Sequence, residues 1–416
     1  MVERLADALP KRLTTGYLQR MAHIISAAVR GLAGRSETVS IEFDRYQNIL
    51  WGRNGSGKTT LLRVLHSALW ADASLIANSP VFDATVVIRS DEIGQTLTRR
   101  LVPMGEPLTA KDRAKIKGRA RAAAYQGDLD SDFPDESTAG AAGEFAWITE
   151  YSEEPISHRE RLRHSYLSIS RLIDDPSTYR RPYTRADGID ESTLDAMFAQ
   201  QVNDRWLRYQ RNSLARIRDI QQQGLGRVLS VLFGGIEGTD ITESSSTDSD
   251  HAFELTKAFL RSQNIGVNFN KAQFRERYLS ERTLQEVVDH IQSVTEQVEE
   301  ALRPQGEFQR LLRELYSGDK ELVLGPNQMR IRAGDSYIPL RALSSGERQL
   351  LNILLQALSG DTSSVIIDEP EISMHVDWQE QLVASMRLLN PDCQLIFATH
   401  SPDVMANVDQ EFIRQI

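Results

Sequence analysis

Four short groups of residues have the types and spacing of a phosphoryl-transfer site. Gly52-Arg53-Asn54-Gly55-Ser56-Gly57-Lys58-Thr59 fits G-x-x-x-x-G-K-[ST] at every fixed position. Glycines in such a loop let backbone N–H groups turn inward toward phosphate oxygens. A helix opening at Lys58 adds the positive end of its dipole. Asn54, Gly55, Ser56, Gly57, Lys58, Thr59 and Thr60 are therefore the candidate phosphate-binding residues. Lys58 would reach the β- and γ-phosphates, and the Thr59 hydroxyl would ligate Mg²⁺.

Val365-Ile366-Ile367-Asp368-Glu369-Pro370 is an apolar run ending in two adjacent carboxylates. Asp368 would hold the metal through a water, and Glu369 would polarise the attacking water as general base. A buried acidic pair is costly without a cation or a shared proton; a surface Asp-Glu turn is the alternative. Leu343-Ser344-Ser345-Gly346-Glu347-Arg348-Gln349 opens a helix with small residues. Ser344 and Glu347 have capping-box spacing. A helix start capped in this way is also an anion site, so Ser344, Ser345, Gly346 and Glu347 are candidates for contact with a γ-phosphate. His400, in Ala398-Thr399-His400-Ser401-Pro402, follows an apolar run and could hydrogen-bond the γ-phosphate or the attacking water.

These groups need a parallel sheet to hold them. Asn48–Trp51, the Gly-rich loop and an amphipathic helix from Lys58 to Trp70 read as strand, loop and helix in that order. Ser364–Ile367 and Gln394–Ala398 read as buried strands joined by a helix, Trp378–Leu389, which places them side by side. Thr38–Phe43 and Val81–Arg89 alternate as strands, as do three short runs from Glu321 to Leu340. The class is α/β. The expected organisation is an N-terminal helical extension over 1–37, with a partly amphipathic helix from Leu5 to Val29, and a first lobe of the head over 38–102. A partly flexible insertion follows over 103–160, then a return to the head over 161–190 near Tyr166–Ile169. A helical arm occupies 191–318 and the second lobe 319–416. Within the arm, Ala196–Phe233 and Lys271–Tyr316 have helical spacing around a polar tip, Gly238–Asp250, with Gly224, Gly226 and Gly234 interrupting the first stretch.

Composition sets the bounds. The chain has 416 residues and a net charge of −10, so it is not a generally basic nucleic-acid binder. A basic run, Lys111 to Arg121, could contact nucleic-acid phosphates or be a solvated loop. Cys393 is the one cysteine, which rules out an internal disulfide and fits a reducing, cytoplasmic compartment. No apolar run is long enough to span a membrane, and charges near the start are unlike a signal peptide.

The loop, LSSGER, IIDEPE and ATHSP, in this order, resemble the ABC-type ATPase heads of the SMC, RecF and OLD (overcoming-lysogenization-defect) group. The spacings from Gly346 to Asp368 and from Asp368 to His400 are similar to that group's. The resemblance implies a P-loop head with an inserted helical arm, ATP and Mg²⁺ as cofactors, and a homodimer or higher even oligomer around sandwiched ATP. Ser344, Ser345 and Gly346 would then act in trans on ATP held by the other copy's Lys58. Ile372-Ser373-Met374-His375 would be the D-loop, with His375 where transporter-type heads carry Asp. EISMHVDWQ is similar to soluble, defence-associated members. That implies an ATP-driven switch working with a separate effector protein in antiphage defence, and no C-terminal Toprim nuclease is expected. A RecF-type DNA-binding ATPase is the second reading; a small-molecule kinase would leave LSSGER and ATHSP without a purpose. Gln95 and Gln126 are the candidates for the Q-loop glutamine.

Overall fold

The apolar runs that flank the candidate loop and the acidic pair are strands of one parallel sheet. The computed structural model describes residues 22–77, 79–91, 94–103, 145–152, 162, 164–167, 191–233, 248–263, 265–266, 270–316, 320–325, 328–359 and 364–416. They divide into two compact units, one of 1–205 with 311–416 and one of 206–310.

In the first unit the elements are β1 (Ala22–Arg30), β2 (Thr38–Glu42), β3 (Gln47–Trp51), α1 (Lys58–Trp70), β4 (Asp83–Ser90), β5 (Gln95–Pro103), β6 (Phe145–Tyr151) and β7 (His164–Leu167). Helix α2 (Glu191–Leu232) starts in this unit and continues into the second, where α3 (Ser249–Ser262) and α4 (Lys271–Ser280) lie. Helix α5 (Arg282–Leu315) returns. The first unit is completed by β8 (Lys320–Leu324), β9 (Met329–Ala333), β10 (Ser336–Ile338), α6 (Ser345–Leu358), β11 (Ser364–Asp368), α7 (Val376–Leu389), β12 (Gln394–Thr399), α8 (Pro402–Met405) and β13 (Ile413–Gln415).

Sheet order is β13-β3-β12-β11-β7 for the parallel sheet and β2-β1-β4-β5-β6 for an antiparallel one. β3 pairs with β12, and β12 with β11, so the loop after β3, the carboxylates ending β11 and the turn after β12 emerge at one sheet edge. One apolar core unites the two sheets and α1. It contains Ile24, Val29, Leu32, Val86 and Ile88 from the antiparallel side, Leu61, Leu62 and Leu65 from α1, and Leu50, Ile366 and Ile396 from the parallel side. Gln394 fastens the sheets where a strand bulges. Its amide accepts from Ile24 N and donates to Ile24 O, both at 2.8 Å, and donates to Asp44 O at 2.8 Å.

Four expectations need correction. Residues 22–29 are not part of a helical extension; they form β1, between β2 and β4. The pairing register shifts between Ile24 and Ser26, so the buried positions run 22, 24, 27, 29. That three-residue step inside a strand imitates helical spacing. The end of the 103–160 insertion is also sheet, because Phe145–Tyr151 pairs antiparallel with β5. The arm holds α3 and α4 in addition to the two long helices, and the Lys271–Tyr316 stretch breaks at Glu281, which caps α4 in an extended conformation. Gly224 and Gly226 do not interrupt α2. Val228, Phe259, Val287, Ile291 and Val294 form a core cluster of the second unit, and packing of this kind overrides the low helix propensity of glycine. Residues 1–21, the basic run Lys111 to Arg121, Gly234 and residues 238–247 of the polar tip lie outside the described residues, whereas Ser249 and Asp250, expected in that tip, open α3.

A histidine pair sits where α1 meets β7. His164 Nδ1 donates to Leu162 O at 2.9 Å, which leaves its Nε2 to accept from His66 Nδ1 at 2.7 Å. Both rings are thereby fixed as neutral tautomers, and an added proton would set two donors face to face. Burial first, and the neighbouring imidazole second, depress His164 to about 3, and burial depresses His66 to about 4. A histidine depressed in the folded state binds its proton only in the unfolded chain. Its contribution is complete above pH 6.5 and is lost as pH falls from there toward the folded value. The expected cost is roughly 2–3 kcal/mol per histidine by pH 4.5. Urea unfolding followed from pH 7 to pH 4.5 should show this slope, and it should be shallower in His164→Gln.

Candidate functional site

The Gly-rich loop closes on itself before α1 begins. Gly55 and Gly57 have φ of 82° and 103°, values an L side chain resists, so the loop can curl with its N–H groups inward. Gly57 is the residue that precedes α1, whose first residue is Lys58. Lys58 Nζ donates to Gly52 O at 2.7 Å and lies 3.8 Å from Glu369 Oε1. The ammonium thus stands between the loop and the acidic end of β11.

Loop, acidic strand end and His400 face one cleft of about 440 Å³, lined by Ala33, Asn54, Gly55, Ser56, Gly57, Lys58, Thr59, Thr60, Glu369, Ile372 and His400. Every loop residue expected from the sequence is in that lining. A second cleft of about 390 Å³ shares Asn54, Gly55 and Ser56 and adds Arg35, Arg53, Gln415 and Ile416. Arg53 occupies a variable position of the Gly-rich motif and Arg35 lies two strands before it, so neither is marked as a site residue by the sequence.

Asp368 is 2% exposed, and neither carboxylate oxygen has a hydrogen-bond partner in ordinary geometry. Burial raises its pKa, against the lowering by the Thr59 hydroxyl, Arg63 and Lys58. A buried carboxylate with both oxygens unspent, beside a threonine hydroxyl, is a donor set suited to a hard divalent cation such as Mg²⁺. Glu369 is raised as well, by burial and then by Glu371, with His400 acting in the other direction. Its backbone is left-handed at φ 49°, and its N–H donates to Ala398 O at 2.8 Å, which ties the strand end to β12. His400 Nδ1 hydrogen-bonds Glu369 Oε2 and is 3.1 Å from Glu371 Oε1.

Glu371 stands two residues after Glu369, and nothing in the local sequence marks it as a site residue. Its Oε1 accepts from the Thr399 hydroxyl at 2.6 Å, from His400 N at 2.9 Å and from Ser401 N at 3.1 Å.

The small-residue helix start stands elsewhere. Ser344 caps α6, with its side chain accepting from Glu347 N and the Glu347 carboxylate accepting from Ser344 N, so the capping box forms as expected. Ser344 and Ser345 are exposed, while Gly346 is buried. A Cβ on Gly346 would meet Ser373 O at 2.1 Å. Only glycine allows the 372–375 turn to lie so close, and Ser373 itself has φ 64°. Arg348 Nη1 donates to Asp195 at 2.6 Å and Gln349 Nε2 to Pro370 O at 2.5 Å, so α6 is fixed to α2 and to the turn after β11. None of Ser344, Ser345, Gly346 and Glu347 lines the cleft at the Gly-rich loop. His375 caps α7 through its ring nitrogen, which accepts from Asp377 N at 3.3 Å. Gln95, at the start of β5, is buried away from the cleft lining, and Gln126 and residues 168–169 of the Tyr166–Ile169 stretch lie outside the described residues.

A family model described as "AAA domain, putative AbiEii toxin, Type IV TA system" matches residues 48–406. Solved structures with a likeness include the Smc head domain with an extended coiled coil bound to the C-terminal domain of ScpA, derived from Pyrococcus furiosus. It is 13% identical, covers 95% of this chain and 93% of that chain, and has a TM-score of 0.43. The Smc head domain with a coiled coil and joint from Pyrococcus yayanosii is 14% identical, covers 95% of each chain and has a TM-score of 0.42. The SMC head domain from Thermotoga maritima is 12% identical, covers 94% of each and has a TM-score of 0.39. Likeness at this level assigns no residue a role. The family match, with the Gly-rich loop, the Asp-Glu strand end and the histidine turn gathered on one parallel sheet, identifies a P-loop ATPase fold.

Proposed function

The chain belongs to this AAA-domain family of AbiEii type, and from that premise we propose that it is an ATP-binding and ATP-hydrolysing switch whose catalytic sites are completed when two copies pair head to tail around ATP. One observation carries the pairing. The capped helix start, Ser344 to Glu347, is exposed at its two serines yet takes no part in lining the chain's own phosphate cleft. A second copy is the natural source of a phosphate for it.

Within one copy, Asn54 to Thr60 cradle the phosphates, and Lys58 neutralises the β- and γ-oxygens. Thr59 and Asp368 would hold Mg²⁺, which supplies charge neutralisation between the phosphates when bound. Glu369 accepts a proton from the attacking water; desolvation and the Glu371 charge make it a stronger base than an exposed carboxylate. His400 hydrogen-bonds that base and faces the cleft from the turn after β12. Arg35 and Arg53 flank the loop where the rest of the nucleotide would extend.

The family description names a toxin of a toxin–antitoxin system. That is compatible with a defence setting; the reading of this chain as the cytoplasmic ATPase and sensor of an antiphage system, with a separate effector doing the damage, is supported by the likeness of EISMHVDWQ to soluble, defence-associated members. The test of the pairing is mass in solution by light scattering. With a non-hydrolysable ATP analogue and Mg²⁺ the mass should double relative to the nucleotide-free protein. A monomer that stays a monomer at saturating analogue would overturn the reading. ATPase activity stimulated by DNA in a salt-dependent way would instead favour the RecF-type reading.

A further inference from the structure

The third acid of the Asp-Glu-Pro-Glu run has no place in the reaction as described, yet one of its oxygens accepts three hydrogen bonds just behind the cleft residues Glu369 and His400. Glu371 is 7% exposed. Its Oε1 takes three donors from three consecutive residues, Thr399, His400 and Ser401. Its Oε2 is buried with no hydrogen-bond partner. Burying an unpartnered carboxylate oxygen costs stability, so stability alone does not favour a glutamate here. Costs of this kind gather at sites with a chemical purpose.

What the three bonds determine is the turn that carries His400. Thr399 ends β12, and Ser401 N also donates to Thr399 Oγ1 at 2.9 Å. Ser401 Oγ donates to Gln379 Oε1 at 2.7 Å, and Gln379 Nε2 donates to Met374 O at 2.9 Å. Met374 N in turn donates to the Glu371 carbonyl at 3.0 Å. The ring of bonds closes: Glu371 holds the histidine turn with its side chain and the 372–375 turn with its backbone. With both turns held, the imidazole of His400 is left facing the Glu369 carboxylate.

We propose that Glu371 is a positioning residue for hydrolysis, fixing His400 against Glu369 by gathering the Thr399 hydroxyl and the His400 and Ser401 amides on one carboxylate oxygen. This rests on the reading of Glu369 and His400 as the hydrolytic pair. Glu371 acts through His400 and does not touch the nucleotide. Removing it should therefore change kcat and leave KM and ATP affinity near their wild-type values.

The experiment is steady-state ATPase kinetics with separately measured ATP affinity for Glu371→Ala, Glu371→Gln, His400→Ala and the His400→Ala/Glu371→Ala double variant. Glu371→Ala should lose about 10²-fold in kcat, the scale of a misplaced catalytic group. Glu371→Gln keeps an oxygen that can accept the same three donors and should recover most of that loss. In the His400→Ala background, Glu371→Ala should cost little more, because the group it positions is gone. Losses that multiply in the double variant, a Gln variant as poor as the Ala variant, or a parallel fall in ATP affinity would each overturn the proposal. If Glu369→Gln abolishes turnover while Glu371→Ala leaves it intact, this proposal fails and the function stands. A wild type that binds ATP without hydrolysing it overturns both.

Discussion

Glu369→Gln should bind ATP with near-wild-type affinity, hydrolyse it on the order of 10²–10⁴-fold more slowly, and accumulate as the ATP-bound pair. The amide keeps the size of the carboxylate and can still occupy the place beside His400 and Lys58. It cannot take a proton from water. Lys58→Ala separates the other half of the function: the ammonium between the loop and β11 is lost, so binding fails before chemistry is reached. Equilibrium binding of a fluorescent ATP analogue and phosphate release, measured on both variants, distinguish the two. A Gln variant that turned over at the wild-type rate would remove Glu369 from the role of base.

The residues of that site were legible because each motif is local. The loop needs glycines at fixed positions to curl, the acidic pair needs an apolar strand to deliver it, and the capping box is a spacing of three residues. All formed where the sequence placed them, and β3, β11 and β12 bring the loop, the acids and His400 to one edge. What the sequence hid is non-local. Glu371 meets Thr399 and His400 only because β11 and β12 are neighbours, and Arg35 joins Arg53 in lining one cleft only through the fold. β1 was hidden for a different reason. Its bulge makes the step from Ile24 to Ala27, both buried, three positions long, and an alanine-rich strand with that step has the period of a helix. In α5, Pro304 lies inside the helix, and apolar packing sustains the helix through it despite the propensity cost.

Ser345→Arg tests whether the signature helix works on its own copy or on its twin. Ser345 is exposed at the first turn of α6, so an arginine there fits the single chain without displacing its core. Monomer affinity for nucleotide should stay within a few-fold of wild type, because Ser345 does not line the cleft of its own loop. Hydrolysis should fall by about 10²-fold, the loss expected when preorganised donors to a developing charge are removed. Gly346→Ala should have a similar effect by a different route: its Cβ would meet Ser373 O at 2.1 Å and force the 372–375 turn away from the helix start.

The decisive arrangement is a mixture. Ser345→Arg keeps an intact loop, and Lys58→Ala keeps an intact signature helix. If sites are shared between copies, a mixed pair contains one site in which both intact halves meet and one in which both are broken. Equal mixing should then raise turnover above the average of the two variants, up to roughly a quarter of wild type, the value reached if pairs form at random so that half are mixed and each mixed pair has one working site. If each chain completes its own site, no mixed pair contains an intact one, and the mixture hydrolyses ATP no faster than the average of its parts.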